Sequence, residues 1–456
     1  MDSLKNTGKG DVKSVTPGKL VLIGVLYMIL SLLQQFMVNK LVITAAVVIV
    51  ASALIAWYLK TEGKLFIVPI AAGVLNLPGL FIRRYTMVEI LGLVTFAVGI
   101  FFAVLGIVRL FKVKAGRGKK IGAVCGAAFV FLLAGFLNFT AVFPMRTMIL
   151  MGKPLNITIA EQSESTLEDG IRLISNVQYD SEMPNGFLDI YYTSEDSENA
   201  PVLIWIHGGG YMWGDKEAGD PNAENSNFES STGGRFLAQG YNVVQMNYVL
   251  AVSKDYRFPA AIKQLNRGLK FLADHGEEYG LNMENVVIGG ASAGGNLAGT
   301  LINIQTNPDY AEVVGETAAI DASCIKAGVF EGGLFDNSRF GKTGSVMVDW
   351  SFLQLGRAYL GINELAADEE AVKPSNVLDW VTADFVPSFI SDGNSGTFTD
   401  QAVDMSELLT GYGIPNELCT FSKEEATLIH GYEESGSEFA DKTFERMFEF
   451  LEEYVR

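Results

Sequence analysis

The chain has 456 residues, enough for more than one domain, and its charge divides it into two unlike parts. Residues 1–150 carry 16 Lys and Arg against 4 Asp and Glu, a net charge of +12, whereas the rest carries 18 against 48, a net charge of −30. The acidic second part argues against nucleic-acid binding, which needs a basic surface, and three cysteines offer no disulfide framework.

Apolar stretches fill the first part and predict an all-α transmembrane domain of about five helices over residues 1–148. The stretches lie near residues 20–38, 41–59, 65–82, 86–108 and 121–143. Their lengths match the roughly 20 residues that a helix needs to cross the hydrocarbon core of a bilayer. The third stretch is the weakest, because Pro69, Asn76 and Pro78 interrupt it, so a broken or re-entrant span is the alternative there.

Basic residues predict the orientation of these spans. Six of them, with no acid, occupy the loop between the fourth and fifth stretches: Arg109, Lys112, Lys114, Arg117, Lys119 and Lys120. Loops of this kind face the cytoplasm, and only one span follows. We therefore expect an integral, multi-pass membrane protein whose second part lies outside the cytoplasm. If all five stretches cross, twelve basic residues lie on the cytoplasmic side and four on the other.

In the second part, strand-like and helix-like runs alternate after an exposed, partly polar lead-in over residues 147–185. The predicted strands cover residues 186–192, 201–206, 241–248, 285–288, 325–330, 386–390 and 416–421, and the clearest helices cover 259–276 and 438–455. This alternation predicts an α/β domain over residues 149–456 with a mostly parallel sheet. Residues 334–380 are too long for a simple connection between strands, and we expect them to form a cap insertion that shapes access to a site.

A candidate nucleophile lies in Gly290-Ala291-Ser292-Ala293-Gly294, which matches G-x-S-x-G. The motif follows the apolar run 285–288 and precedes a helix-compatible stretch over 296–301. A serine at such a strand-to-helix turn is held with its hydroxyl exposed near a helix N-terminus. Gly and Ser are common in loops, so a plain turn is the alternative for this motif alone.

A glycine loop precedes the candidate nucleophile in the chain. His207-Gly208-Gly209-Gly210 directly follows the apolar strand 201–206. Consecutive glycines allow backbone N–H groups to converge on an anion, so we interpret residues 208–210 as an oxyanion loop and His207 as its brace. A flexible turn is the alternative.

The chain has three histidines, and His430 is the predicted general base. It lies nine residues beyond the last predicted strand and before the C-terminal helix, where a loop residue can reach the nucleophile. A surface histidine is the alternative. His275 ends a helix among acidic residues, and we expect it only to favour the helix C-terminus.

Three aspartates are candidates for the acid that orients His430. Asp392 directly follows the predicted strand 386–390 and is our first choice; Asp400 is second and Asp336 is third. Each of the last two equally suits a solvated aspartate or one that caps a helix.

The order H-G-G-G, G-x-S-A-G-G and H-G-Y resembles the hormone-sensitive-lipase-like branch of the α/β-hydrolase superfamily. That branch includes bacterial carboxylesterases, acetyl esterases and feruloyl-esterase-like proteins. The likeness covers roughly residues 185–456, and it extends to residues 258–261 before the helix and to residues 379–387 before the penultimate strand. The transmembrane domain lies outside it.

This resemblance implies an α/β-hydrolase fold with an eight-stranded, mostly parallel sheet. It implies Ser292 as nucleophile, His430 as base, and an oxyanion hole formed by the backbone of Gly208, Gly209 and Gly210 with the amide of Ala293. It implies no cofactor and no metal.

Two positions depart from the family pattern. Ala291 stands where the family commonly has Asp, and the usual acid motif G-x-x-D is absent, since Gly396 occupies the acid position if Gly393 is the motif glycine. The acid has therefore either moved to Asp392 or lost part of its role.

The leading hypothesis is a membrane-anchored serine carboxylic-ester hydrolase that acts through an acyl-serine intermediate. Its expected partners are a small-molecule or lipid-like ester and the lipid bilayer. An acyltransferase that uses the same acyl-serine is the first alternative. A catalytically weak hydrolase-fold sensor or binding protein is the second, because the acid is displaced. The sequence gives no oligomeric state.

Overall fold

A computed structural model of the chain describes residues 15–37, 40–82, 84–152, 154–167, 170–193, 197–216, 230–365 and 368–455. The chain divides into two compact units, Met1–Pro144 and Met145–Arg456. The N-terminal residues before 15 that carry part of the predicted charge asymmetry lie outside the described residues.

The first unit is all helical. Its α-helices are α1 (Pro17–Phe36), α2 (Leu41–Leu59), α3 (Ile67–Asn76), α4 (Tyr85–Lys112) and α5 (Arg117–Val142). In the described residues, five helical segments are long and apolar enough to cross a membrane, as judged from length and composition. The third of them, Gly63–Leu80, is a short α3 between two single turns of 3-10 helix, and Pro69 and Pro78 explain the interruption because proline supplies no backbone N–H.

Close contact between α1 and α4 depends on glycine. Three glycines lie seven residues apart on α4 and face residues of α1 that are also seven apart, in the reverse order: Gly92 faces Gln35, Gly99 faces Met28 and Gly106 faces Val21. A Cβ atom at Gly99 would lie 2.7 Å from Met28 Cγ. The two antiparallel helices therefore approach along a seam that admits no side chain on α4, which is common where apolar helices pack in a membrane.

The second unit contains one sheet of nine described strands in the order β1-β2-β3-β5-β4-β6-β7-β8-β9. The strands are β1 (Ser163–Thr166), β2 (Arg172–Gln178), β3 (Phe187–Tyr192), β4 (Val202–Ile206), β5 (Asn242–Met246), β6 (Val286–Ala291), β7 (Ile325–Glu331), β8 (Ser388–Ser391) and β9 (Asn416–Cys419). The strands from β5 through β4 to β9 are parallel, whereas β1, β2 and β3 pair antiparallel.

The sheet has one strand more than the predicted eight, and the expectation of a lead-in without strands over residues 147–185 is wrong. Both β1 and β2 lie in that stretch. The four residues of β1 are all exposed, and the pairing of β2 shifts between Ile174 and Val177. Neither strand therefore shows the alternation of apolar residues from which strands are predicted.

Helices cover both faces of this sheet. From residue 144 onwards the α-helices are α6 (Pro144–Gly152), which precedes the strands, and α7 (Thr232–Ala238), α8 (Ala260–His275), α9 (Ala293–Thr306), α10 (Pro308–Val314), α11 (Val346–Leu360), α12 (Glu369–Val372), α13 (Thr399–Tyr412) and α14 (Glu438–Leu451). Of these, α7, α9, α13 and α14 contact the strands directly. On one face, Phe236 of α7 and Phe444 of α14 pack on Trp205, Val243 and Val329 of the sheet. Burial of these apolar side chains is the main force that holds the layers together.

The parallel strands determine where functional side chains meet. The central strands β4 and β6 are buried along their paired lengths, as their apolar sequences predict. Because parallel strands all end at the same edge, the loops that follow β4, β6, β7 and β8 converge there. α11 and α12 lie within the long connection between β7 and β8.

Candidate active site

Ser292 occupies the sharp turn between β6 and α9, with φ 56° and ψ −118°. This left-handed conformation is strained for a residue with a side chain and is held by its surroundings. The backbone N–H of Ser292 donates to the carbonyl oxygen of Glu331 at 2.7 Å. A Cβ atom at Gly294 would lie 2.6 Å from the carbonyl oxygen of His207, so the small residues of the motif allow the turn to pack against the neighbouring loop.

The glycine loop after β4 lies directly beside this turn. A Cβ atom at Gly208 would lie 3.4 Å from Cβ of Ser292 and 3.0 Å from the carbonyl oxygen of Ala291. Gly209 and Gly210 have φ of 100° and 59°, a region that favours glycine. The structure thus brings the predicted oxyanion loop next to Ser292, and the amide of Ala293 lies at the N-terminal end of α9.

His207 and Tyr248 pack together and contact the backbone of the glycine loop. The His207 ring stacks on Tyr248 with centroids 4.3 Å apart, and its Nδ1 lies 2.8 Å from the carbonyl oxygen of Gly208. Tyr248 donates its hydroxyl to the carbonyl oxygens of His207 and Gly208, at 3.1 and 3.2 Å. Burial lowers the pKa of His207, which favours its neutral form, and the carbonyl oxygen of Gly208 can accept from Nδ1 in the tautomer that is protonated there. The His207 ring therefore contacts the glycine loop, in the position expected of a residue that supports it.

His430 faces the same cavity as Ser292 and has Asp392 behind it. Nδ1 of His430 lies 3.5 Å from Oδ1 of Asp392, which is within ion-pair range but longer than a formed hydrogen bond. Asp392 is buried, and its two oxygens accept from the backbone N–H groups of Gly393 at 2.8 Å and Phe398 at 2.6 Å. These bonds hold the carboxylate in one orientation towards the imidazole.

The other two aspartates are engaged elsewhere. Arg339 pairs with Asp336 at 2.9 Å, with Asp400 at 3.2 Å and with Asp404 at 2.6 Å. Asp336 also accepts from the backbone N–H of Ser338 at 2.9 Å and so caps a short turn. The geometry brings Asp392 to His430 and leaves Asp400 and Asp336 in this separate cluster.

His275 lies at the end of α8, where Nδ1 is 3.0 Å from Oε1 of Glu278, and the pair is exposed to solvent. It does not line the cavity that holds Ser292 and His430. As the last residue of α8, His275 is positioned to interact favourably with the C-terminal end of the helix dipole.

Two glycines allow the histidine and the acid to meet, and the sequence analysis singled out only the second of them, Gly393. A Cβ atom at Gly332, which has φ 58°, would lie 2.7 Å from Cε1 of His430 and 3.2 Å from Oδ1 of Asp392. A Cβ atom at Gly393 would lie 2.5 Å from the carbonyl oxygen of Ile429. The signal that would have found Gly332 is its position, because it directly follows a buried strand on the edge where the site assembles.

A cavity of about 500 Å³ connects these groups. Ser292, His430 and residues 208–210 line it, together with Ser351, Phe352 and Leu355 of α11. The long connection between β7 and β8 therefore contributes one apolar wall. Among the described residues, no group of three or more His, Cys, Asp or Glu side chains is arranged to hold a metal ion.

Buried carboxylates that the sequence analysis missed lie around the same cavity. Glu331 lines it, and burial together with the charges of Glu433 and Glu434 raises the pKa of Glu331 well above its usual range. Burial and the charge of Asp392 raise the pKa of Glu433 to about 7. Ser391 donates its hydroxyl to Oε1 of Glu433 at 2.8 Å. No motif marks these residues, and only their contacts in the fold reveal them.

The mostly parallel sheet, with its serine at the turn between β6 and α9, is the α/β-hydrolase fold. Residues 188–409 match the family model BD-FAE. Two solved structures of esterase B from Lactobacillus rhamnosis have the same fold. One, inhibited by a tributyrin phosphonate, has a TM-score of 0.51 at 20% identity and covers 64% of this chain and 87% of its own. The other has a TM-score of 0.50 at 21% identity, with 63% and 87% covered.

Relatives of known function point to the kind of α/β-hydrolase. Esterase LipI of Mycobacterium tuberculosis is 23% identical over 240 residues, which cover 53% of this chain and 68% of LipI. Carboxylesterase NlhH of the same species is 23% identical over 248 residues, with 53% and 70% covered. Ethyl acetate hydrolase of Pseudomonas putida is 26% identical over 168 residues, with 33% and 48% covered. These similarities support an α/β-hydrolase that hydrolyses esters.

Proposed function

We propose that this protein is a membrane-anchored serine carboxylic-ester hydrolase that forms an acyl-serine intermediate. One observation carries the proposal: Ser292, in its strained turn, shares a cavity with His430, and buried Asp392 lies 3.5 Å from the imidazole. A serine hydroxyl is a weak nucleophile unless a neighbouring base accepts its proton. The cavity supplies that base, and the fold supplies the group that orients it.

In the proposed acylation step, Oγ of Ser292 forms a bond to the ester carbonyl carbon while its proton passes to Nε2 of His430. The carbonyl oxygen becomes an oxyanion, which the N–H groups of residues 208–210 and of Ala293 stabilise. When the tetrahedral intermediate collapses, the ester C–O bond breaks and the alcohol leaves with the proton from His430. Asp392 stabilises the imidazolium that exists between these two proton transfers.

In the proposed deacylation step, water takes the place of the alcohol. His430 accepts a proton from water as the hydroxide oxygen bonds to the acyl carbon and forms a second tetrahedral intermediate. When this intermediate collapses, the bond between the acyl carbon and Oγ of Ser292 breaks, and His430 returns the proton to Oγ. The acid leaves and the serine is restored. If an alcohol acceptor takes the place of water in this step, the same residues perform acyl transfer, which favours an assay that measures both products.

The apolar helices support a membrane anchor for this hydrolase. Five segments of the first unit have the length and hydropathy of spans, and a chain that contains them is retained in a bilayer. With the basic loop over residues 109–120 in the cytoplasm, the hydrolase unit faces the extracytoplasmic side. Small-molecule or lipid-like esters are the proposed substrates.

The test is turnover of p-nitrophenyl acetate by the purified full chain, together with labelling by a fluorophosphonate. Ser292→Ala is expected to abolish both, and His430→Ala to lower turnover by roughly 10²–10⁴-fold. His275→Ala is the matched control and is expected to leave turnover close to the wild-type value. Wild-type turnover by Ser292→Ala would contradict the proposed nucleophile, and an unlabelled wild-type protein would favour the sensor hypothesis.

A further inference from the structure

One branch of the cavity runs from Ser292 towards the sheet face that α7 and α14 cover. The register of the sheet shows this direction. Trp205 pairs with Gln245 on one side and Gly289 on the other, and Ala291 pairs with Glu331 two residues further along the same strands. Side chains two residues apart on a strand point to the same face. All of these residues except Gly289 line the cavity, and Ser292 follows Ala291 directly.

Gln245 gives this branch an amide side chain that forms no hydrogen bond among the described residues. Its backbone is paired on both sides, with Asp189 of β3 and Trp205 of β4, so the side chain is the part that reaches the cavity. The residue is only 4% exposed, and among the described residues its amide has no hydrogen-bond partner. The amide atoms of Gln245 are not among the fully buried, unpaired polar atoms of the described residues, so they face the cavity, where a ligand can form hydrogen bonds with them.

Glu331 adds a buried carboxyl group on the same face of the sheet, three strands away from Gln245 in the order β5-β4-β6-β7. It is 3% exposed, and its two oxygens accept from the hydroxyl of Thr232 at 2.8 and 3.0 Å. No Lys or Arg of the described residues forms an ion pair with it. Arg235 lies close enough to lower the pKa of Glu331 slightly, but its guanidinium pairs with Asp441 at 2.6 Å.

The charges that line the cavity are mainly negative. Glu434 and Asp215 line it together with Glu331. Lys216 is the one Lys or Arg among the described lining residues. Its charge is already balanced by a buried ion pair with Asp189 at 2.7 Å. Burial is the main cause of the raised pKa of Glu331, and repulsion from Glu433 and Glu434 adds to it. A cation in the branch would relieve this repulsion, whereas an anion would increase it.

We propose that this branch, formed by Glu331, Gln245 and Trp205, is a subsite for an organic ammonium group, and that the preferred esters carry such a group. This inference rests on the proposed esterase function. A bound cation favours the ionised form of Glu331, whose carboxylate then supplies the opposite charge, and Oε1 of Gln245 accepts from an N–H or a polarised C–H group. Trp205 lines the same branch, and aromatic rings attract cations at their faces.

The test compares esters that differ only in this charge. One pair places it in the alcohol part: acetylcholine and its neutral isostere 3,3-dimethylbutyl acetate. The other pair places it in the acyl part: glycine betaine ethyl ester and ethyl 3,3-dimethylbutanoate. Each kcat/KM of the detergent-solubilised full chain is divided by the rate constant for hydroxide-catalysed hydrolysis of the same ester. The cationic-to-neutral ratio within a pair then reports recognition of charge, because chemical reactivity and general damage to the enzyme cancel.

We expect the wild-type ratio in at least one pair to exceed one by about tenfold, the size of one partly screened charge pair. Glu331→Gln keeps the shape and the acceptor for Thr232 and is expected to bring the ratio close to one. Glu449→Gln removes the same charge from the exposed side of α14 and is the matched control, with an unchanged ratio. Glu434→Gln, at the exposed rim, is expected to lower the ratio by less and remains informative if Glu331→Gln does not fold.

The outcomes separate this inference from the proposed function. Ratios near one in both pairs, while p-nitrophenyl acetate is hydrolysed, would overturn the ammonium subsite and leave the esterase intact. A high ratio that survives both Glu331→Gln and Glu434→Gln would also overturn it. Absence of turnover with every ester would instead refute the proposed hydrolase.

Discussion

Asp392 contacts both the backbone and His430, so a substitution there should affect both stability and catalysis. Its oxygens accept from two backbone N–H groups, at 2.8 and 2.6 Å, while Oδ1 also lies 3.5 Å from Nδ1 of His430. A neutral amide at this position would turn an N–H group towards a backbone N–H and would remove the charge that stabilises the imidazolium. The carboxylate therefore contributes both to stability and to the proposed catalysis.

The first prediction contrasts Asp392→Asn with Asp400→Asn. Asp392→Asn is expected to lower kcat by as much as ~10⁴-fold and to cost about 1–3 kcal/mol of stability, because a buried hydrogen-bonding group loses its partner. Burial of Asp392 explains this cost in stability, because an exposed loop aspartate would lose little stability on the same substitution. Parallel kinetic and melting measurements on both variants check it.

Asp400→Asn is the control for this comparison. The structure places Asp400 inside the first turn of α13 with Phe398 at the N-cap, so the capping role considered for Asp400 is wrong. Its half-exposed pair with Arg339 is worth about 1 kcal/mol or less, and kcat should not change. If Asp400→Asn is the slower enzyme, Asp392 is not the acid.

Glu433 gives a second prediction, on the dependence of stability on pH. Burial and Asp392 raise its folded-state pKa to about 7, from an ordinary value of 4.5. An acid whose pKa is raised by folding contributes stability fully below its unfolded pKa and loses that contribution as pH rises through its folded pKa. This residue should therefore destabilise the fold by up to roughly 3 kcal/mol between about pH 4.5 and pH 7.

Glu433→Gln removes this titration and keeps an acceptor for Ser391. The difference in melting temperature between wild type and variant is expected to favour the wild type more at pH 5 than at pH 8. Glu449→Gln, a surface change, should show no such trend. A difference that is constant with pH would mean that Glu433 does not titrate in this range.

At the scale of elements, the seam between α1 and α4 depends on the absence of side chains. A Cβ atom at Gly99 would meet Met28 at 2.7 Å and its backbone N at 2.8 Å, which are closer than real side-chain contacts. Backbone atoms cannot move aside as a side chain can, so the helices themselves must separate. A bulky residue at this position is a direct test of whether the two helices pack as described.

Gly99→Leu is accordingly expected to lower the melting temperature of the first unit and the yield of monodisperse protein in detergent, since overpacking typically costs 1–3 kcal/mol or more. Gly126→Leu is the matched control on α5, because a Cβ atom at Gly126 has no atom within 4 Å. Size-exclusion chromatography and thermal melting compare the two. Equal behaviour of both variants would contradict the seam.

An element could be predicted when its sequence carries a local signal, such as an apolar run or a characteristic turn. The strand β6, Ser292 and α9 are marked by a buried apolar run, a small-residue turn and a helical stretch, which are all local signals. The exposed β1 has no such pattern, because its only partner is β2 and its residues face solvent. It is held by its pairing with β2, the next strand along the chain, and hydrophobic periodicity does not record such pairing.

The site shows the same division. Motifs indicated Ser292 and residues 208–210, and position after a strand indicated Asp392. In contrast, Gly332 lies beside His430, and Glu331 lines the same cavity as His430, only because β7 lies between β6 and β8. Such proximity depends on strand order, so no spacing along the chain could predict that Gly332 leaves room for the imidazole or that Glu331 lines the cavity.

At the scale of the whole molecule, the charge asymmetry and the five apolar segments lead to the final prediction. The loop of six basic residues over 109–120 separates the fourth segment from the fifth. Moving so many positive charges across a membrane is unfavourable and is opposed during insertion. If the segment after this loop crosses the membrane, Met145–Arg456 is expected on the opposite side from the loop, whether or not Gly63–Leu80 crosses.

Protease added to intact cells that express the full chain should therefore remove a tag fused after residue 456, without lysis. If all five segments cross, a tag fused before residue 1 lies on the cytoplasmic side and should be protected until the cells are opened. A variant with the six loop residues changed to Gln is the informative comparison, because loss of the charge bias should produce a mixed population. Protection of the C-terminal tag in intact cells, with cleavage only after lysis, would reverse the orientation and place the hydrolase unit in the cytoplasm.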